Sequence, residues 1–389
     1  MLPRAGGFSL VELVVSAALT TTVVACLFAL VHPAQSAFSS EPEMSDMKQR
    51  LRVAVDALRR DLGTAGSGPE TAGRTGSLIH YFPPLVPFRE GASSNDAAGT
   101  VKTDTVTAIG VPATAAQTTL AGDLLPGVLT VQAAPEPGCP AGTNLCGFSP
   151  GLTVAIYDDT GLFGLFTVAA VADAAAQITL APRQAHSSSA TYRSGSNLVQ
   201  VRVHTFTLKS DPATQTSQLM YADGSTGADV PVVDHVVGLA FAYYGEPRPP
   251  SLSLETTAYG PLPPPSGSRT TAYPAGENCT FQVDPVTGDR VPRLGALAAG
   301  AALVPLRPAQ LTDGPWCPDE TDAHRWDADL LRIRTVGVTV RVEAALAALR
   351  GPAGVLFSNA GSSNSPSRWA PDQEIRFRVS PRNLNPAWP

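Results

Sequence analysis

The sequence predicts an α+β protein in which one long amino-terminal helix precedes a head made mainly of antiparallel β-strands. Two helical patterns lead the chain: 24 almost wholly apolar residues over Phe8–Val31, and an amphipathic stretch after them. Beyond residue 63, apolar and polar residues alternate with a period of two between Gly, Pro, Asn and Asp residues, as in half-buried strands. The 34 Gly and 36 Pro residues among 389 favour many turns and short strands.

Charge and composition exclude two classes of protein. Asp and Glu outnumber Lys and Arg by 33 to 27, and the basic residues are dispersed along the chain, so we expect no nucleic-acid partner. A hydrophobic content of 43% excludes a wholly disordered chain. The sequence contains no P-loop, G-x-G-x-x-G or H-E-x-x-H motif, and we expect a protein that is not an enzyme.

The apolar run Phe8–Val31 is long enough to cross a bilayer. As a helix it would extend about 36 Å, against roughly 30 Å of hydrocarbon. Glu12 interrupts the run, and a carboxylate that faces lipid is costly. We therefore expect a membrane-spanning helix in which Glu12 requires a partner of opposite charge.

The residues before this run form a short leader, MLPRAGG, that ends in Gly6 and Gly7. The junction Gly7-Phe8-Ser-Leu-Val-Glu12, followed by an apolar stretch, resembles the type IV prepilin signature. The resemblance implies that residues 1–7 are a leader peptide, and that a prepilin peptidase cuts after Gly7 and N-methylates Phe8. It also implies that Glu12 pairs with the free amine of a neighbouring subunit in a filament. Each of these buried charges is unfavourable alone, and together they become tolerable.

An ordinary secretory signal peptide or membrane anchor is the alternative for the same segment. Ala34-Gln35-Ser36 offers a small-residue cleavage site, and the mature chain would then start near Ala37. A signal core, however, usually has about 7 to 15 residues, follows a more basic head and carries no carboxylate. These differences favour the prepilin interpretation.

Residues 32–63 are predicted to form a hinge and a stem helix. Pro33 and Pro42 predict that the helix is interrupted between the membrane and the stem. From about Glu43 to Leu62, apolar residues recur at helical spacing, and Gly63 is a natural stop. The recurring residues are Met47, Leu51, Val55, Leu58 and Leu62. The pattern therefore predicts an amphipathic helix that packs on the head.

The head, residues 64–389, is predicted to contain strands separated by turn residues. Asp158-Asp159-Thr160-Gly161 is predicted to connect two of them as a hairpin. The predicted strands are Asp104–Val111, Gly127–Ala133, Leu152–Tyr157, Phe163–Val171, Gln177–Leu180 and the alternating stretches Val199–Val203, Val336–Val342 and Ile375–Val379. Their period-two patterns suit a half-buried antiparallel sheet.

Three fragments of the carboxy half resemble the PilW-type minor pilins, whereas residues 64–190 and 245–327 match them poorly. The fragments are Val232–Gly245, Ala328–Arg334 and Val379–Leu384. The resemblance implies one antiparallel sheet packed on the stem helix, with the long inserts as surface elaborations. The insert 245–327 is rich in Pro, Ser and Thr and is predicted to be an extended loop.

Four cysteines follow the apolar run, on the side of the membrane that this topology makes extracytoplasmic, where disulfides are expected. We predict that Cys139 pairs with Cys146 and that Cys279 pairs with Cys317 across the long insert, although four cysteines permit three connectivities. The larger loop closure would contribute roughly 3 to 4 kcal/mol. A zinc site is the alternative, but CxxC pairs and His residues at ligand spacing are absent.

Calcium is the one cofactor for which the sequence offers candidates. Asp284 and Asp289, and Asp319 and Asp322, lie in oxygen-rich stretches, but neither stretch has the spaced acids and final Glu of an EF-hand. Turn residues and solvated acids are the alternative interpretation of both stretches. No other cofactor is predicted.

Together with the resemblance, these features predict a minor pilin, a non-enzymatic subunit involved in type IV pilus assembly or initiation. The resemblance implies a single-pass inner-membrane form with a cytoplasmic amino terminus and a periplasmic head, which later enters the pilus at the cell surface. The implied partners are the prepilin peptidase, other pilins that pack against the helix, and the inner-membrane platform. A J-type pseudopilin of type II secretion is a closely related alternative. A membrane-anchored or secreted binding protein, adhesin or hydrolase is the alternative from another class.

Overall fold

The computed structural model describes residues 9–69, 77–91, 96–97, 99–136, 138–184, 187–211, 216–223, 228–247, 277–293, 302–314, 316–318, 322–350, 370 and 372–385. The chain divides into two compact units, Met1–Leu51 with Val342–Gln373 and Arg52–Arg341 with Glu374–Pro389. The described residues form an α+β protein with one long helix followed by antiparallel β-sheets, as the sequence predicts.

The helix α1 runs without interruption from Leu10 to Gly63, over 54 residues, so the predicted hinge near Pro33 and Pro42 is wrong. Each proline lacks a backbone N–H and costs about 3 kcal/mol inside a helix. A break would cost more hydrogen bonds, because it would leave about four N–H and about four C=O groups without helical partners and would require a second helix nucleus. A helix that continues through each proline therefore loses fewer backbone hydrogen bonds than a helix that ends and starts again.

The carboxy-terminal part of α1 buries the apolar stripe that its spacing predicts. The buried residues of this stripe are Met47, Leu51, Val55, Leu58 and Leu62. Arg52, Arg59 and Arg60 are exposed, and the helix ends at Gly63. The predicted amphipathic stem helix is therefore confirmed.

Each predicted strand overlaps a strand of the structure. The strands are β1 (Leu85–Val86), β2 (Thr105–Gly110), β3 (Gln117–Thr119), β4 (Thr130–Gln132), β5 (Thr153–Tyr157), β6 (Phe163–Ala172), β7 (Gln177–Pro182), β8 (Asn197–Gln200), β9 (Arg202–Asp211), β10 (Thr216–Ala222), β11 (Val230–Asp234), β12 (Val236–Gly245), β13 (Phe281–Val283), β14 (Arg290–Pro292), β15 (Val304–Leu306), β16 (Trp316–Cys317), β17 (Trp326–Asp327), β18 (Ile333–Val342) and β19 (Gln373–Val379). Short 3-10 helices span Leu78–His80, Asp173–Ala175, Ser187–Ser189, Pro308–Leu311, Ala328–Arg332, Ala347–Leu349 and Arg382–Leu384. The hairpin predicted at Asp158–Gly161 is confirmed, since β5 and β6 pair antiparallel across it.

The strands form several sheets, so the single sheet implied by the resemblance is wrong. A five-stranded sheet has the order β1-β2-β9-β10-β11, and a four-stranded sheet has the order β15-β12-β18-β19. A six-stranded sheet has the order β3-β8-β5-β6-β7-β4, and β13-β14 and β16-β17 are two-stranded ribbons. Period-two alternation predicts that a strand is half-buried but says nothing about which sheet it joins.

The six-stranded sheet closes into a barrel. Its end strands β3 and β4 meet at a bridge between Leu120 and Ala133, where Ala121 N donates to Gln132 O at 2.8 Å and Ala134 N donates to Thr119 O at 2.8 Å. Its interior is a separate cluster of buried apolar residues that includes Val154, Ile156, Phe166, Ile178, Tyr192 and Leu198. Closure pairs the edge strands with each other, which removes two exposed edges.

This barrel is inserted between β2 and β9, which pair directly with each other in the five-stranded sheet. Residues 64–190 were expected to be a surface elaboration, but most of this stretch forms a barrel with its own core. The predicted strand Val199–Val203 is divided between β8 and β9, so the chain passes at Val201 from the barrel to the five-stranded sheet. The long insertion that the resemblance implies is therefore, in this region, a folded barrel with its own core.

The insert 245–327 is an extended loop only in part. Its described residues contain the ribbons β13-β14 and β16-β17, and β15 pairs with β12. Residues 248–276, 294–301, 315 and 319–321 lie outside the described residues. Sequence analysis did not predict these strands, because strands of two or three residues are too short to show a recognisable period of two.

Candidate functional site

The amino-terminal part of α1 presents a long apolar surface with no cover. The segment Leu10–Ala29 has a mean hydropathy of 2.1 and is 0% buried. Leu10 is 81% exposed and Phe28 is 70% exposed. By length and composition this segment can cross a membrane, since about 20 residues span roughly 30 Å. Lipid or other apolar helices would be needed to cover such a surface.

Ser9 and Glu12 form a reciprocal capping box at the start of α1. Ser9 N and Ser9 Oγ donate to Glu12 Oε2 at 3.0 and 3.1 Å, and Glu12 N donates to Ser9 Oγ at 3.2 Å. The cap satisfies backbone donors that a helix end leaves unpaired, and a carboxylate is favourable near the positive end of the helix dipole. Glu12 therefore has a local partner in its own chain. Sequence analysis missed this role, although the S-x-x-E spacing signals it.

The other hydroxyls of the apolar segment bond to the backbone of the same helix. Ser16 Oγ donates to Glu12 O at 2.6 Å, and Thr20 Oγ1 donates to Ser16 O at 2.7 Å. Thr21 and Thr22 make the same bond to the carbonyls four residues before them. These bonds satisfy the hydroxyls without help from outside the helix. Gly7 and Phe8, the predicted cleavage and methylation positions, lie outside the described residues.

The structure confirms the predicted disulfide pairing. Cys139 is bonded to Cys146 with a Cα–Cα distance of 5.5 Å, and Cys279 is bonded to Cys317 with a Cα–Cα distance of 5.7 Å. The disulfides leave these sulfurs without the thiolates that the zinc alternative requires. Gly161 lies against the second disulfide: it has φ +84°, and a Cβ there would lie 2.8 Å from Cys279 Sγ and closer still to Cys317 Sγ. Only glycine fits this turn.

The calcium candidates take part in turns and local hydrogen bonds. Asp284 Oδ1 accepts from the backbone N–H groups of Val286 and Thr287 at 2.8 and 3.3 Å, in the turn between β13 and β14. Asp289 closes the same turn, since its carbonyl accepts from Asp284 N at 2.8 Å. In the part of the chain that the structure describes, no group of three or more His, Cys, Asp or Glu side chains could hold a metal ion.

The second pair of calcium candidates is only partly described. Asp322 Oδ1 accepts from His324 N at 2.8 Å and lies 2.7 Å from His324 Nδ1. Asp319 lies outside the described residues. The contacts of Asp284 and Asp289 agree with the turn interpretation of their stretch.

The three fragments that carried the PilW-type resemblance lie on or next to β12, β18 and β19, which are neighbours in the four-stranded sheet. Arg334 Nε donates to Glu246 Oε1 at 2.9 Å, and Arg334 also donates to Leu384 O. The Thr335 and Ser380 hydroxyls lie 2.7 Å apart. Arg334 is buried, and buried charges need partners of this kind. The fragments therefore have a structural role in joining β12, β18 and the end of β19.

Glu90 is a buried carboxyl beside a small cavity. The cavity has a volume of about 20 Å³, enough for one water molecule, and Asp96, His324 and Arg325 also line it. Glu90 Oε1 has no hydrogen-bond partner among the described residues. Burial, together with the nearby Asp96 carboxylate, raises the pKa of Glu90 to about 8. Glu90 is therefore protonated in the folded head at neutral pH.

We expect the stability of the head to fall with rising pH because of Glu90. Its pKa is raised from 4.5 to about 8, so the unfolded chain releases the proton in this range while the folded chain keeps it. The contribution of Glu90 to the unfolding free energy should therefore be largest below pH 4.5 and should decrease toward pH 8 by about 1.4 kcal/mol per pH unit. Denaturant unfolding of the full chain in detergent, followed from about pH 5 to about pH 8, measures this.

Glu90→Gln should remove the part of the pH dependence that Glu90 contributes, because an amide cannot ionise. The variant should match the wild type at about pH 5 and exceed its stability at about pH 8. Glu41→Gln, at an exposed position of α1, is the matched control and should leave the wild-type slope unchanged. An equal slope in wild type and Glu90→Gln would contradict the assignment.

In comparisons with known proteins, no family model, curated protein or solved structure matches this chain. The functional argument therefore uses the chain's own residues. These are the uncovered apolar helix, the carboxylate at its start and the disulfide-bonded β-rich head.

Proposed function

We propose that this chain is a minor pilin, a non-enzymatic filament subunit that is cut between Gly7 and Phe8, N-methylated on Phe8 and packed into a type IV pilus through α1. The observation that carries the proposal is the uncovered apolar segment Leu10–Ala29 with Glu12 in its first turn, directly after the leader that ends in Gly7. A helix of this kind can be covered by lipid before assembly and by other helices after it.

The position of Glu12 supports a role in assembly rather than in anchoring. An anchor needs apolar length alone, and a carboxylate within it makes insertion less favourable. The capping box shares the Glu12 charge with Ser9, but Ser9 is neutral, so the charge itself is not balanced within the described part of the helix. A free amino terminus of a neighbouring subunit would balance it in a low-dielectric filament core.

The head supports an extracytoplasmic location. Its two disulfides are stable in an oxidising compartment and rare in the cytosol. Passage of the head to the periplasm, with the amino terminus in the cytoplasm, agrees with this chemistry. The partners that follow are the prepilin peptidase, other pilins and the inner-membrane platform of the pilus.

The mature amino terminus tests the proposal. The protein would be expressed in a bacterium that has a prepilin peptidase, and in the same strain without it, and its terminus would be determined by mass spectrometry. We expect N-methylated Phe8 in the first strain and uncut Met1 in the second. A start near Ala37, or uncut Met1 in both strains, would overturn the proposal and favour an exported or anchored binding protein.

A further inference from the structure

A polar cleft lies beside the last turns of α1, where the helix faces the five-stranded sheet. The cleft has a volume of about 440 Å³, within the range of small-ligand sites. Arg60 and Asp61 line it from the helix, and Arg202 and His204 line it from β9. Tyr221 of β10 lies directly opposite Phe206 of β9 and completes the aromatic side of the cleft.

The two arginines of the cleft have no ion-pair partner among the described residues. Neither Arg60 nor Arg202 makes an ion pair or hydrogen bond with any residue that the structure describes. Other arginines of the head do pair, for example Arg89 with Asp229 and Arg293 with Glu277. Asp61, the acid that lines the same cleft, is instead 3.2 Å from His204 Nδ1. Within the described part of the chain, the cleft therefore presents two guanidinium groups without an ion-pair partner and one carboxylate that already has a partner.

The aromatic side of the cleft is packed against neighbouring rings and can donate a hydrogen bond. The Tyr221 ring packs against the rings of His204 and Phe206, with centroid distances of 5.4 and 5.2 Å. Burial, followed by the Asp61 and Asp223 carboxylates, raises the pKa of Tyr221 to about 12. The phenol therefore keeps its proton at neutral pH and can act as a donor.

We propose that this cleft is a binding site for a carboxylate, held by Arg60 and Arg202, with the ligand's apolar part against the Tyr221 ring and Val232. Guanidinium groups bind carboxylates through two parallel charge-assisted hydrogen bonds, and an aromatic wall favours a ligand with an apolar portion. Arg60 in the last turn of the helix also interacts favourably with the helix dipole, but that effect does not account for Arg202 on the facing strand. The carboxylate belongs either to a free small acid or to an acidic side chain of a partner protein.

Titration of the full chain in a non-ionic detergent tests the site. The probes are succinate, the peptide acetyl-Ala-Ala-Glu-Ala-Ala-amide, and the same peptide with Gln in place of Glu. We expect at least one carboxylate probe to bind and the Gln peptide not to bind. Binding should weaken as salt is added, because the attraction is between charges that are partly exposed to solvent.

Substitution of the arginines identifies the cleft as the site. Arg60→Gln and Arg202→Gln should each weaken binding by about 10-fold or more, as expected for loss of a charge-assisted hydrogen bond. Arg52→Gln, exposed on the same helix and outside the cleft, is the matched control and should bind like the wild type. Arg60→Lys and Arg202→Lys retain the charge and should weaken binding less, which separates loss of binding from loss of folding.

Each result has one interpretation. Binding of succinate, with or without binding of the Glu peptide, supports a site for small free acids, and binding of the Glu peptide alone supports an acidic segment of a partner protein. Absence of binding by both carboxylates, equal binding of the Glu and Gln peptides, or full binding by Arg60→Gln and Arg202→Gln would overturn the proposal.

Discussion

Replacing Glu12 with alanine should nearly abolish incorporation of the protein into sheared filaments, while membrane insertion and cleavage after Gly7 remain largely intact. Under the proposed function the Glu12 carboxylate balances the amino terminus of a neighbouring subunit, and removal of one partner leaves a buried charge uncompensated, at a cost of about 3 to 5 kcal/mol. N-methylation should also be impaired. Immunoblots of the membrane and sheared fractions, with mass spectrometry of the terminus, measure these effects.

The capping box supplies a matched control for this prediction. Glu12→Gln retains a side chain that can cap the helix with Ser9 but removes the charge, and Ser9→Ala weakens the cap but keeps the charge. If charge pairing governs assembly, Glu12→Gln should fail like Glu12→Ala, and Ser9→Ala should assemble. If helix capping governs assembly, the two results should be reversed. Wild-type amounts of Glu12→Ala in sheared filaments would refute both accounts.

Removing the Cys279–Cys317 disulfide should destabilise the head more than removing Cys139–Cys146. The two bridges close loops with sequence separations of 38 and 7 residues. The chain-entropy relation gives about 4 kcal/mol for the longer loop and about 2.5 kcal/mol for the shorter one. The longer bridge also joins the ribbon strand β16 to a segment near β13, so its loss should free part of the insert.

Paired serine variants test this order. Cys279→Ser with Cys317→Ser is compared with Cys139→Ser with Cys146→Ser, each as the full chain in detergent under the same denaturant conditions. Trp326, whose Nε1 donates to Gly161 O at 2.9 Å, provides a fluorescence signal close to the longer bridge. A larger loss of stability in the Cys139 and Cys146 variant would show that loop length does not determine the contribution of these bridges.

Local patterns explain which features the sequence predicts correctly. The apolar run, the stripe from Met47 to Leu62 and the stop at Gly63 depend on residues within a few turns of one another. The strand positions likewise follow from alternation over five to ten residues. The cysteine pairing was the simplest of three connectivities, since each cysteine pairs with its neighbour in sequence.

Some features that sequence analysis missed depend on residues far apart in the chain. Others depend on which of two local conformations costs less free energy. The hinge near Pro33 and Pro42 is absent because a proline within the helix costs less free energy than two new helix ends would. The arginines of the cleft, Arg60 and Arg202, come together only because α1 packs near β9. Neither residue carries a motif that marks it.

The sequence by itself determined the apolar helix, the Ser9–Glu12 spacing, the presence of strands and the disulfide chemistry of the head. Only the tertiary structure decided that β3 and β4 close a barrel inserted between β2 and β9, and that Arg60 and Arg202 share a cleft. The physical reason is that periodicity records which side of an element is buried. The partner that buries it is selected by the packing of the whole chain.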